Sequence, residues 1–396
     1  MNIIVVIRGT KMKNKFLMIT FFSICLLFSS NVKAANYTDN QTVDANKTWI
    51  VKFSDEIKFD ELTKKGITVT DSRGNTVNAG VQLGQDNKSI MVMAPQSGYT
   101  SGESYILNIG DKVHSNKGKE LKNECKVHFN IRSASDAIVT FKDNDLGKKV
   151  RSILNKQTGD IYKSDIQKIT IIDLFKTKDI SGIENLTNLK SMYDMFDNQT
   201  TSLSALKGLT NLQLLSFTNS KISDVSALEK LGNLQDLNLE GDNISDINAL
   251  RYLNNLKYLN LSMNQITDIS ALKDLTNLQK LYLDQVPITD ISALKDLTNL
   301  KEIDLSDTPV TNISMLKGLT NLQVLRLSYT PLTDISALRG LSSLQELCLD
   351  GVKIKDISAL KGLTNLRTLV ISSTISEDNK KLLKNALPNC NIEYCD

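Results

Sequence analysis

In the second half of the chain the apolar residues return every 22 positions. The leucine opening each copy stands at Leu206, Leu228, Leu250, Leu272, Leu294, Leu316, Leu338 and Leu360. Within a copy the order is L-x-x-L-x-N-L-x-x-L-x-L, then a variable stretch, then I-x-D-I-S, as from Leu272 to Ala293. One copy is too short to bury its own leucines, whereas stacked copies share a continuous core, so the pattern predicts a solenoid. In Lys280-Leu281-Tyr282-Leu283-Asp284 the two leucines alternate inward and the polar residues outward, which is the period of a strand. Successive copies then pair as parallel strands about 4.8 Å apart into a concave sheet. Short 3-10 or turn segments are expected on the convex side.

Residues 36–133 lack this period. Short alternating runs appear instead at Trp49–Phe53, Ser89–Met93, Tyr105–Ile109 and Lys126–Ile131. Polar turn signals separate them, at Asp71-Ser72-Arg73-Gly74-Asn75, Gln85 to Lys88 and Asn116 to Lys119. Short strands with regular polar turns predict an all-β sandwich. From 137 to 180 the pattern changes again. Leu146, Val150, Ile153 and Leu154 share one helical face, and Ser164-Asp165 looks like the N-cap of a second short helix. Such a segment suits the polar end-piece a solenoid needs. A bulge is expected near Asn198 to Ser202, where Met192, Met195 and Phe196 replace leucines. After the last copy, Ser376 opens a helix that Pro388 stops, and Asn391 to Tyr394 reads as a closing strand.

Two resemblances follow from these residues. W-x-V-x-F, T-D-S-x-G-N, Y-T-S-G-E-S-Y-I-L-N-I and G-K-x-L-K make residues 36–133 similar to the bacterial Ig-like domains of surface-layer proteins. F-x-D-x-x-L, G-D-I-x-x-S-D and D-I-S-G-I-E-N-L-T-N-L, with the 22-residue repeats, resemble the internalin family over roughly residues 137 to 375. The expected architecture is mixed: a signal peptide at 1–34, an Ig-like β-sandwich at 36–133, a helical cap at 137–180, leucine-rich repeats at 181–375 and a C-terminal cap at 376–396. The family carries an Asn two residues before the repeat's Ile. Here that position reads Ser220, Asp242, Asn264, Val286, Thr308, Thr330 and Val352, so the turn is expected to depart from the family's.

Composition alters this picture in few places. The chain is 41% hydrophobic and 23% charged, ordinary for a soluble protein. Residues 1–34 hold five bases and no acid ahead of an apolar run, followed by Val32-Lys33-Ala34, as in a secretory signal. Taking those bases from the +3 total leaves −2, so nucleic-acid binding is not expected. Cys125, Cys348, Cys390 and Cys395 are too few for a disulfide framework. The product is expected to be secreted, with no membrane span after cleavage, and free or held at the surface non-covalently.

Two polar ladders read as scaffold. The Asn before each strand (Asn188 through Asn365, with Ser343 the exception) is expected to be buried and to satisfy backbone groups. Asp224, Asp246, Asp268, Asp290, Asn312, Asp334 and Asp356 suit caps or Asx-turns, calcium being the alternative. The outward strand positions remain. Those assigned to partner binding are Asp236, Asn238, Glu240, Tyr258, Asn260, Lys280, Tyr282, Asp284, Glu302, Asp304, Arg326, Glu346 and Asp350. Over the whole face seven acids meet two bases, which favours a protein partner with a basic surface. The internalin resemblance adds adhesion to a host cell-surface protein. A separate stripe including Lys273, Lys295 and Lys317 is a candidate for anionic wall polymers, and so for the rival reading, a structural envelope protein. No cofactor, metal or catalysis is expected. The two histidines, His114 and His128, both lie before the repeats, and no catalytic or phosphate-binding motif is present.

Overall fold

The computed structural model describes residues 3–6 and 39–395 apart from 122, 176 and 195–199. The chain divides into two compact units, Met1–Ala137 and Ile138–Asp396. The expected signal peptide lies outside the described residues except for Ile3–Val6, whose backbone pairs antiparallel with Trp49–Phe53. The expected bulge lies partly outside them as well, at 198 and 199.

The first unit holds two sheets. One orders Ile3–Val6, Trp49–Phe53, Ser89–Met93 and Gly80–Leu83; the other orders Gln41–Val43, Cys125–Ile131, Ser104–Ile109, Ile67–Asp71 and Thr76–Val77. Alternation sets which side of each strand faces in. Trp49, Val51 and Phe53 come from one sheet and Val127, Phe129 and Ile131 from the other, all buried. Trp49 meets Phe129 at 4.9 Å between ring centroids, which closes the sandwich. A one-turn helix at Glu61–Lys65, missed in the sequence, is started by Asp60, whose carboxylate accepts the Thr63 N–H. That bond satisfies an N–H with no partner inside the helix.

The second unit begins with the expected helix, Asn144–Ile153. It is capped by Asp143 and buries Leu146 and Val150, while Ile153 is exposed. The following short helix, Lys163–Ile166, differs from expectation. Tyr162 is the N-cap, and Asp165 works from inside the first turn, accepting the Tyr162 N–H at 3.0 Å. Eleven strands then stack in strict chain order, from Ile171–Asp173 to Asn391–Cys395, all parallel. Register is one repeat per strand: Leu259, Leu281 and Ile303 are aligned, so like side chains stack through the core. Short 3-10 turns such as Ser270–Leu272 and Ser292–Leu294 alternate with the strands.

The two ladders resolve differently. Each Asp or Asn of the second accepts the N–H two residues on, as in Asp290 to Ser292 at 2.8 Å and Asn312 to Ser314 at 2.9 Å. The Asn ladder does tie backbone groups, Asn277 donating to the Asn254 carbonyl at 2.8 Å, but its side chains are exposed rather than buried. The buried amide is Asn264, in the turn after the strand. It donates to the carbonyls of Leu239, Leu261 and Ser262 and accepts the Ile244 N–H. Where Thr308 and Thr330 occupy this slot, their hydroxyls donate to Leu305 and Leu327. The turn therefore keeps one shape although its residues vary. Its first residue is left-handed in every repeat from Asn219 through Gly241, Met263, Gln285, Asp307 and Tyr329 to Gly351, with φ between 53° and 72°. For Met, Gln and Tyr that backbone costs roughly 1 kcal/mol or more each.

Candidate functional site

The concave sheet presents two rows of outward side chains set by register. One runs Asp236, Tyr258, Lys280, Glu302, Val324, Glu346; the next runs Asn238, Asn260, Tyr282, Asp304, Arg326, Cys348. Tyr258 and Tyr282 are thus diagonal neighbours, their ring centroids 5.4 Å apart and their planes at 44°. Glu302 sits beside them as a hub. Lys280 Nζ approaches its Oε2 at 2.9 Å and Arg326 Nη1 its Oε1 at 2.8 Å, while the Tyr282 hydroxyl donates to it. Arg326 reaches the other way with Nη2, 2.8 Å from Glu346 Oε1.

This ladder fixes protonation. Burial works to raise Glu302, but the donors from Arg326, Lys280 and Tyr282 hold its carboxyl below the usual range. Burial opposes the Arg326 charge, yet the two glutamates hold it still more firmly. Tyr282 is raised by burial and by its glutamate partner, so its hydroxyl stays a donor. The Cys348 thiol, partly buried beside Glu346, is pushed up to about 11, chiefly by burial, so it is no reactive thiolate.

The sequence reading assigned Lys280 and Arg326 to partner binding. The structure commits both to internal ion pairs. Asp236, Glu240, Asp284, Asp304 and Asp350 remain with no base paired to them among the described residues. Their other contacts order the face. Asn260 donates to Glu240 at 2.9 Å, Asn238 accepts the Glu240 N–H at 3.1 Å, and Ser262 donates to Asp284. Asp304 is raised by burial and by the neighbouring Asp284 charge, against the lowering bonds from Ser306. The structure therefore brings the assigned residues together as a central tyrosine and ion-pair cluster with acids around it.

The Lys273, Lys295 and Lys317 stripe lies on the turns and not on this face. Lys295 is 3.7 Å from Asp296, and the groove there also takes in Asp268, Asp274 and Asp290, so the stripe is partly neutralised. In the sandwich unit His114 lies between Asp60 (3.1 Å) and Thr63 (3.2 Å), an order that resembles a hydrolytic triad. Thr63 is fully buried and the group caps a helix, so its hydroxyl has no face for a substrate. The site positions missed in the sequence are those in the left-handed turn row, Met263 and Tyr329 above all. They follow the strand and so escape an inward/outward count.

Comparison with known proteins agrees with this fold. A bacterial Ig-like domain model matches residues 24–131, and a leucine-rich repeat model matches 254–296 and 298–340. An internalin, InlF, from Listeria monocytogenes aligns at 30% identity over 64% of this chain and 82% of its own, with a TM-score of 0.55. The chain belongs to the internalin family. A second Listeria monocytogenes internalin, InlC2, is 31% identical over 61% of this chain and all of its own, with a TM-score of 0.47. A leucine-rich repeat protein of Leptospira interrogans is 26% identical over 59% of this chain and 62% of its own, at 0.55. Comparison with curated protein sequences returns no match. Internalin-like leucine-rich repeat proteins are in general binding proteins rather than enzymes, and their fold is built for protein–protein contact. Among the described residues of this internalin, no helix is long and apolar enough to cross a membrane.

Proposed function

We propose that this internalin is exported and recognises a basic protein surface with the centre of its concave sheet, acting as an adhesin toward a host cell-surface protein. The observation that carries this is the Tyr258–Tyr282 pair, held against the Glu302 hub and surrounded by acids that no base among the described residues neutralises. Tyrosines give large contact area at low cost in side-chain entropy, and the uncompensated acids steer a basic partner to them. Lys280 and Arg326 set the shape of the site by holding Glu302 and Glu346 in place.

The test is a cross-linking pull-down from host-cell surface extracts with the full chain and with the Tyr258→Ala, Tyr282→Ala double variant. The wild type is expected to retain a basic protein that 0.5 M salt releases and the double variant does not capture. Identical captures by the two proteins would remove the concave centre as the binding face.

A further inference from the structure

The left-handed residue that follows each strand forms a row along the rim of the concave sheet. Asn and Asp tolerate that backbone and Gly prefers it, but a bulky side chain there is strained. Tyr329 nevertheless occupies it with φ 57° and is 57% exposed. Its ring is held from two directions. The hydroxyl donates to Asp350 Oδ2 at 2.6 Å and the backbone N–H to the Asp350 carbonyl at 2.8 Å. Beneath the ring lies Gly351, where a Cβ would come within 2.5 Å of Tyr329 Cδ1. A strained backbone, a glycine floor and a carboxylate tether thus combine to hold one aromatic ring out toward solvent.

The charges around that ring have one sign. Asp307 is the equivalent rim residue of the preceding repeat, and Asp350 is the tether. Asp350 Oδ1 is buried with no hydrogen-bond partner, and among the described residues neither aspartate is paired with a Lys or Arg. A phenol bonded to a carboxylate has an electron-rich ring, and a ring face beside two acids attracts a cation.

We propose that Tyr329, with Asp307 and Asp350, is a second anchor point of the binding surface, taking a single Lys or Arg side chain of the protein partner at the concave rim. It rests on the reading that this face binds a basic partner, and it extends that surface beyond the strands to the turn row. A cation seated over the ring would lie between the two carboxylates. The tether to Asp350 keeps the ring from turning away.

The fold itself supplies substitutions that will not disturb it. The rim position is Gly in two other repeats, Gly241 and Gly351, and Asn in a third, Asn219. Tyr329→Gly and Asp307→Asn are therefore compatible with the backbone, and Tyr329→Gly relieves strain. The probe is a fluorescently labelled hexa-arginine peptide, read by anisotropy at low salt with the full chain. Each variant is expected to bind it about three-fold more weakly than wild type. Thermal stability should be unchanged or, for Tyr329→Gly, raised. Undiminished affinity in both variants, with affinity lost in the Tyr258→Ala, Tyr282→Ala protein, overturns the rim site and leaves the concave reading standing. Loss in the rim variants alone keeps the rim site and removes the concave centre. No binding by wild type overturns both.

Discussion

At residue 242 an acid occupies the slot that Asn264 fills in the next repeat. Asn264 uses its amide to donate to three buried carbonyls, whereas a carboxylate donates to none and a carboxylic acid, with one O–H, to at most one. Asp242 is buried, its Oδ2 has no partner, and burial pushes it up to about 7 against the lowering bonds from the Ile222 and Ser220 N–H groups. A folded-state value above the unfolded value of about 3.9 means that the folded chain holds a proton the unfolded chain releases. The contribution of Asp242 to stability is therefore fully present below about pH 4, falls as pH rises toward about 7, and is flat beyond it. Asp194, buried with neither oxygen partnered among the described residues, adds to the same trend. Burial and the Asp173 charge raise it to about 6. Asp242→Asn should stabilise the repeats by about 2–3 kcal/mol at pH 8 and by clearly less at pH 4, where the ionisation penalty is gone. Urea denaturation at the two pH values checks this; an equal gain at both would show that ionisation is not the cause. The sequence shows Asp242 as a departure from the repeat but does not show its lost hydrogen bonds, because those depend on carbonyls from two different repeats.

Among the repeating elements, two amides that look alike in sequence do different work. Asn277 is exposed and makes one bond to a carbonyl of the preceding repeat, so Asn277→Ala should cost about 1 kcal/mol. Asn264 is fully buried and donates to three carbonyls, so Asn264→Ala should cost about 3 kcal/mol by leaving them without a donor. Equal losses in urea midpoint would contradict this assignment. The 22-residue rhythm made the strands, the parallel sheet and the Asp290-type caps legible, because each rests on local periodicity or a two-residue contact. The same rhythm misplaced the buried amide. It singled out the recurrent Asn, while the slot that matters accepts Asn264, Thr308 or Thr330 and so leaves no single-letter signature. The candidate site was legible in part for a similar reason. Alternation identified Tyr258, Tyr282 and Glu302 as outward, but not that Lys280 and Arg326 both turn to Glu302. Tyr329 was invisible because a left-handed turn residue belongs to neither face of a strand.

On the scale of the whole molecule, the two units have separate cores and different physics. The sandwich is closed by aromatic packing of Trp49, Tyr99, Tyr105 and Phe129. The repeats form one continuous apolar column, and each repeat is stabilised mainly by its neighbours. The two buried acids raised to about 6 and about 7, Asp194 and Asp242, both lie among the repeats. The sandwich carboxylates that shift, such as Asp60 and Asp71, move down, held by backbone and Asn75 donors. They keep their stabilising effect at any pH above the ordinary carboxylate range. Calorimetry of the full chain should therefore show two transitions. Between pH 5 and pH 8 the repeat transition should move down by several degrees, while the sandwich transition stays in place. For an array of this size, a change of about 2 kcal/mol corresponds to roughly 4–8 °C. In Asp242→Asn most of that movement should disappear. If both transitions moved together in the wild type, the pH dependence would not be confined to the repeat column.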